Sequence, residues 1–224
     1  MIGGMSWEST AEYYRLANRL VADRLGGLHS ADLVLRSLDF EVVAALQRRG
    51  AWSEAAAALA QAAVDLEGAG AELLVLCTNT MHKVVAEVES AVTVPVLHVV
   101  DVTAAAVRAA DLPTVGLLGT AFTMEQDFYH DRLASHGIEV IVPGEADRRE
   151  VHRVIFEELC RGTMSDGSRV RYREVMARLV EAGAQGVVLG CTEIELLVGQ
   201  DDCAAPVFPT TRLHVQAAVD AALG

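Results

Sequence analysis

The chain has 224 residues, 52% of them hydrophobic and 5% aromatic, which is enough apolar material for one large or two small cores and too much for a disordered chain. Eighteen basic residues against 31 acidic ones leave a formal charge of −13, which argues against a nucleic-acid partner. Charges cut the apolar runs well short of the roughly 18 residues that a membrane-spanning helix needs, and no basic segment precedes an apolar one at the start, so a soluble cytoplasmic protein is expected.

In chain order, the first element is a helix over 6–25, "SWESTAEYYRLANRLVADRL", with Ser9 and Glu12 spaced as a capping box and Gly26–Gly27 as its stop. A strand should come before this helix and only "MI" remains to supply it, so residues are expected before Met1. Then follow the apolar run "ADLVLRSLDF", the alanine-rich helix "SEAAAALAQAAVDLEGAG", whose face is for packing, and the runs "AELLVLC" and "VPVLHVV". "TVGLLG", "IEVIV", "QGVVLGC" and "APVF" continue the pattern to a last helix over 210–224. Short apolar runs alternating with helical segments predict parallel strands joined by crossover helices, an α/β fold.

The order of signals repeats. "IGGMSWEST" matches "LLGTAFTME", "GAGAELLVLCTNT" matches "EAGAQGVVLGCTEI", and "VPVLHVVDVTAAAV" matches "APVFPTTRLHVQAAV". Between paired landmarks the offset is 115 for Gly4 and Gly119, 114 for Cys77 and Cys191, and 111 for Pro95 and Pro206. Three matches in one order predict two homologous half-chains: an N-terminal domain over 1–100, with the 210–224 helix packing back on it, and a C-terminal domain over 101–209.

Cys77, Cys160, Cys191 and Cys203 are too few and too scattered for a disulfide framework, so reduced thiols are expected. Cys77 and Cys191 each end an apolar strand just before a helix start, the edge where open α/β sheets bind ligands. Two such halves facing each other would put the thiols on opposite walls of one cleft. A helix N-terminus beyond each cysteine would favour its thiolate and attract a carboxylate, to which Thr78, Asn79, Thr80 and Thr192 can add donors. Opposed thiols suit inversion of a stereocentre, with a base on one face of the carbon and an acid on the other. Cys160 and Cys203 lack this context and are read as packing or surface residues. A zinc site would need a second close pair of ligands beside Cys77 and His82, and a pyridoxal cofactor would need a Schiff-base lysine where the chain has only Lys83, so neither cofactor nor metal is expected.

"GGMSWEST", "GGLHSA", "QRRG", "CTNTMHK", "TMEQDFY", "IFEEL" and "GCTEIELL" closely resemble the cofactor-independent aspartate/glutamate racemase family, nearest its aspartate racemase and broad-specificity branch, over essentially the whole chain. The resemblance implies two similar flavodoxin-like, parallel-sheet domains related by a pseudo-twofold axis, with a catalytic cleft between them, in a homodimer. It implies that Cys77 and Cys191 are the acid/base pair acting on a small amino-acid substrate. Thr78, Asn79, Thr80, Thr120, Thr123 and Thr192 would contact the substrate carboxylate, with Met5 and Ser6 near the mouth. Arg161 after "EELC", and Arg48 with Arg49 before Gly50, match basic residues of aspartate-specific relatives, and a guanidinium can hold a side-chain carboxylate. His82 is expected to orient the "CTNT" turn. Glu193, where glutamate racemases of cell-wall synthesis carry histidine, either complements the helix dipole or tunes Cys191. Two other readings remain: a diacid isomerase or decarboxylase of the same superfamily, and a non-catalytic amino-acid-binding protein.

Overall fold

A computed structural model describes residues 1–224. The chain divides into two compact units, one made of Met1–His98 with His214–Gly224 and the other of Val99–Leu213.

In the first unit the order is β1 (Ile2–Gly3), α1 (Trp7–Leu25), β2 (Arg36–Ser37), α2 (Phe40–Arg48), α3 (Trp52–Gly68), β3 (Leu74–Val75), a 3-10 segment (Thr80–Val84), α4 (Val85–Ser90) and β4 (Val96–Leu97). All pairings are parallel: β1 with β2, β3 with β4, and a bridge between Ile2 and Leu76 that joins the two ladders in the order β2-β1-β3-β4. Side chains alternate along the third strand. Leu74 and Leu76 enter a core with Leu59, Ala63 and Leu66 of α3, whereas Val75 and Cys77 face Tyr13 and Ala17 of α1. The buried stripe of α3, Ala55, Ala56, Leu59, Ala62, Ala63 and Leu66, has helical spacing, and its small residues let the helix lie close to the sheet.

The second unit runs α5 (Val99–Ala109), β5 (Thr114–Gly119), α6 (Ala121–Glu125), α7 (Asp127–Ser135), β6 (Glu139–Ile141), α8 (Glu145–Glu157), a 3-10 segment (Leu159–Arg161), α9 (Asp166–Glu181), β7 (Gly186–Gly190), α10 (Ile194–Leu197), a 3-10 turn (Gln200–Asp202) and β8 (Val207–Pro209). Its last helix, α11 (Thr210–Leu223), starts here and from His214 onward belongs to the first unit. The sheet order is β6-β5-β7-β8, all parallel, the same second-first-third-fourth order as in the first unit. The three sequence pairs fall on equivalent strands: β1 with β5, β3 with β7, β4 with β8. Every residue of β7 is buried, as a strand covered by helices on both faces must be.

Two local expectations are corrected. Ser6, not Ser9, caps α1: its side chain accepts from Ser9 N at 3.5 Å, while Glu12 reaches forward to Arg15 at 2.5 Å. The apolar run "VPVLHVV" is strand only at Val96–Leu97, because helix α5 starts at Val99.

One ion-pair knot ties α9 to the turn that follows α10. The buried carboxylate of Asp202 accepts from Arg169 through two bonds of 3.0 Å and from Arg173, and it also accepts from Gly199 N at 3.0 Å. The Arg169 guanidinium and these bonds hold Asp202 down from an ordinary 3.8 to about 2. A carboxylate held low in the folded state stabilises it above the unfolded pKa, and that contribution disappears as pH falls through the folded value. Asp202→Asn should therefore unfold at a lower temperature than the natural chain at pH 7, and the gap between their thermal midpoints should close as pH falls from about 4 towards about 2.

Candidate active site

The carboxyl end of the third strand in each unit carries a cysteine, and backbone bonds fix how each is presented. Leu74 N donates to Pro95 O at 2.9 Å in the first unit, as Val187 N donates to Pro206 O at 2.8 Å in the second. Cys77 stands three residues beyond Leu74 and Cys191 four beyond Val187, so the ladders align Cys77 with Gly190 and place Cys191 one residue further on. The faces confirm this: Cys77 packs with Tyr13 of α1 and Val215 of α11, whereas Cys191 packs with Leu189 in the core that holds Tyr172 and Val175 of α9. The thiols are therefore alike in place but not in neighbourhood.

Around Cys77 the strand ends converge. Cys77 N donates to Ile2 O at 2.9 Å, and Thr78 N turns back onto Leu76 O at 2.8 Å. The turn Thr78, Asn79 and Thr80 is buried, and His82 donates from Nδ1 to Thr78 O at 2.8 Å. Behind it, Gln47 of α2 donates to Met81 Sδ at 3.0 Å, and Lys83 lies 4.7 Å from the Trp52 ring centroid. The neighbouring loop after β1 is equally tight. Gly4 has φ 88°, and a Cβ on it would lie 2.1 Å from Leu38 O, so only glycine fits. Thr10 Oγ1 accepts from Gly4 N at 2.7 Å and donates to Ser6 O at 2.8 Å, fixing the loop that carries buried Met5 and Ser6.

The second unit offers a different set. Thr120 caps α6, accepting from Thr123 N at 3.3 Å, and the two threonine hydroxyls are 3.2 Å apart. His152 of α8 accepts from Ala121 N through Nδ1 at 3.0 Å, and burial lowers its pKa, which favours the neutral ring. Cys191 donates to Glu193 Oε2 at 3.0 Å, and Thr192 donates to the same oxygen at 2.7 Å. Glu193 thus contacts the thiol directly. Arg161 is exposed at the end of a 3-10 segment that packs against α10, whereas Arg48 pairs with Glu41 at 2.5 Å and Arg49 lies 4.0 Å from Glu54. Cys160 and Cys203 are partly buried against the core that includes Cys191, and all four cysteines are free.

The elements beyond the cysteines depart from expectation. Cys77 is followed by a five-residue 3-10 segment and Cys191 by a four-residue helix, too short to supply a strong dipole. Burial instead pushes the Cys77 thiol up to about 12, and burial followed by the Glu193 carboxylate pushes Cys191 well above 9.0. Both sulfurs are protonated at rest. His98, His152, His214 and Tyr13 were not singled out from sequence. His98 and His214 do lie within the segments matched as a repeat, which was the available signal; His152 had none.

No helix is long and apolar enough to cross a membrane, and no group of three or more His, Cys, Asp or Glu side chains is placed to hold a metal ion. The chain thus carries two parallel sheets of one strand order, each with a buried thiol where its third strand ends. Residues 2–218 match the Asp/Glu/hydantoin racemase family model, and the chain belongs to that family. It is similar to a Yersinia pestis protein assigned to the Asp/Glu racemases, 52% identical, with a TM-score of 0.91, covering 100% of this chain and 97% of that one. It is also similar to an aspartate racemase homologue from Pyrococcus horikoshii, 33% identical, TM-score 0.85, covering 100% of this chain and 97% of that one. The aspartate racemase of Picrophilus torridus, 19% identical with a TM-score of 0.72 over 99% of this chain and 92% of that one, shares the fold.

An ordinary thiol, with a pKa of about 8.5, is about nine-tenths ionised by pH ~9.5, so its alkylation rate rises little beyond that. In the substrate-free protein, iodoacetamide labelling of Cys77 followed by peptide mass spectrometry should still be rising at pH 10, because its ionisation is displaced to about 12.

Proposed function

We propose that this chain racemises an acidic amino acid, aspartate before glutamate, by exchanging the α-proton between Cys77 and Cys191. The reading requires each unit to deliver its strand-end thiol to one face of the substrate α-carbon. The observation that carries it is the recurrence of a buried free cysteine at the end of the third strand in both units, beside buried hydroxyl and amide groups, within a racemase family.

Two resting thiols cannot act as a base, so binding must ionise one. An amino acid brings an ammonium group into the site, and a positive charge beside a buried thiol favours its thiolate. At Cys191 the carboxylate of Glu193 already accepts the S–H and is placed to take that proton. The thiolate removes the α-proton from one face, the other thiol donates to the opposite face, and the roles reverse for the other enantiomer. Thr78, Asn79 and Thr80 of the first unit and Thr120, Thr123 and Thr192 of the second are the proposed donors for the substrate α-carboxylate, whose charge grows in the carbanion-like transition state. Met5 and Ser6 are proposed to lie near the substrate as well.

Arg161 is the favoured partner for the side-chain carboxylate. It carries no ion pair of its own, whereas Arg48 and Arg49 are engaged or near carboxylates of their own segment. The chemistry is proposed to need neither metal nor pyridoxal phosphate; the chain's one lysine, Lys83, lies over an indole ring rather than free for a Schiff base. Four free cysteines agree with a reducing cytoplasm, and exposed Trp7 and Tyr14 on α1, with Leu28 beyond it, support a homodimer.

In heavy water the protein should wash deuterium into the α-position of aspartate from either enantiomer; no exchange across a panel of acidic and neutral amino acids would refute the reading. Cys77→Ser and Cys191→Ser should each lower racemisation by about a thousandfold or more, with exchange from one enantiomer surviving in each. Arg161→Gln should raise KM for aspartate about tenfold to a hundredfold, the loss of one charge-assisted pair, while leaving a neutral amino acid unaffected.

A further inference from the structure

Three histidines gather within the first unit from three separate segments. His82 lies in the 3-10 segment after Cys77, His98 follows β4, and His214 is on α11. All three are buried; the His82 ring centroid is 4.6 Å from that of His98 and 5.8 Å from that of His214. Hydrogen bonds fix two of the tautomers. Thr78 O can only accept, so His82 carries its proton on Nδ1, 2.8 Å away. His214 donates from Nε2 to Leu97 O at 3.0 Å, and its Nδ1 accepts from the Tyr13 hydroxyl at 2.9 Å. Burial, and then His82, push His214 down to about 3, so it stays neutral.

Their places along the chain add meaning to this cluster. His98 is the last residue before the chain passes into the second unit, and His214 is the first after it returns. Both connections between the units therefore begin or end on a ring that contacts His82. His82 in turn holds the carbonyl of Thr78, the residue next to Cys77. Tyr13 completes the arrangement from α1, whose face packs on Cys77 itself.

We propose that His82 is a positioning residue for Cys77: through the Thr78 carbonyl it sets the turn that presents the thiol, and His98 and His214 clasp its ring from the two crossings of the chain. This rests on the two-thiol racemase reading given above. The cluster moves no proton of the reaction. It fixes where the sulfur stands, which matters because a misplacement of about 1 Å at a reacting group can cost about a hundredfold in rate.

The test compares the full-length natural chain with His82→Leu, which keeps bulk and removes the donor, and with His82→Asn, whose amide nitrogen takes the place of Nδ1. For His82→Leu, kcat for aspartate racemisation should fall about tenfold to a hundredfold with KM within about twofold, and His82→Asn should stay within about threefold of the natural chain. Independently of turnover, iodoacetamide labelling of Cys77 relative to Cys191 should change by about tenfold or more in His82→Leu and hold steady in His82→Asn. Unchanged kcat and labelling in His82→Leu, or equal failure of both variants, would overturn the proposal. Should His82→Leu not fold, His82→Gln, which places its amide nitrogen near the Nε2 position, takes its part in the same comparison. If the natural chain exchanges no amino-acid α-proton, the racemase reading falls, and the Cys77 labelling ratio still decides whether His82 sets the turn.

Discussion

The hydrogen bond from Cys77 N to Ile2 O is the joint on which the first unit depends. Only there, with the Ile2–Leu76 bridge, does the β1–β2 ladder meet the β3–β4 ladder, and it forms at the carboxyl end, where side chains leave the sheet. A residue so held has its backbone direction settled by the ladder and its side chain settled by alternation. That is why Cys77 points at α1 and α11 while Leu76 points at α3. The second unit makes the same joint with a longer β5–β7 ladder, and it places its cysteine one residue later.

That one-residue difference puts the two thiols of a duplicated scaffold in different surroundings. Alternation with a period of two means that a shift of one exchanges the layers that a side chain faces. Cys77 shares its layer with Tyr13 and has its turn held by His82, whereas Cys191 shares its layer with α9 and has a carboxylate within hydrogen-bonding distance. The two enantiomers of a substrate are not related to an L-amino-acid protein in the same way, so the racemisation proposed above does not require identical surroundings for the two thiols. Burial raises the pKa of both thiols, and at Cys191 the Glu193 carboxylate raises it further.

The fold was legible because long-range order left local marks. "TVGLLG" and "QGVVLGC" are continuous apolar runs because strands covered on both faces have no polar side, and both are strands at nearly those limits. The strands β2 and β4 are shorter than their apolar runs, since a run such as "VPVLHVV" is equally apolar as strand and as the buried start of a helix. The local pattern favours Ser9 as the cap of α1 because a glutamate stands three residues on, but the cap is decided by where the loop after Gly4 releases the chain, and tertiary contacts with Leu38 and Thr10 fix that point.

The sequence by itself determined the α/β class, the duplicated order of strands and the pair of strand-end cysteines, because hydrophobic periodicity and motif spacing are properties of neighbouring residues. Only the tertiary structure decided the rest: the register that parts Cys77 from Cys191 by one residue, the direction in which burial moves their ionisation, the Glu193 contact and the three histidines. Those depend on which distant segments meet in low-dielectric surroundings. His82, His98 and His214 come from three separate segments, and nothing local marks that the rings of His98 and His214 each lie within 6 Å of that of His82.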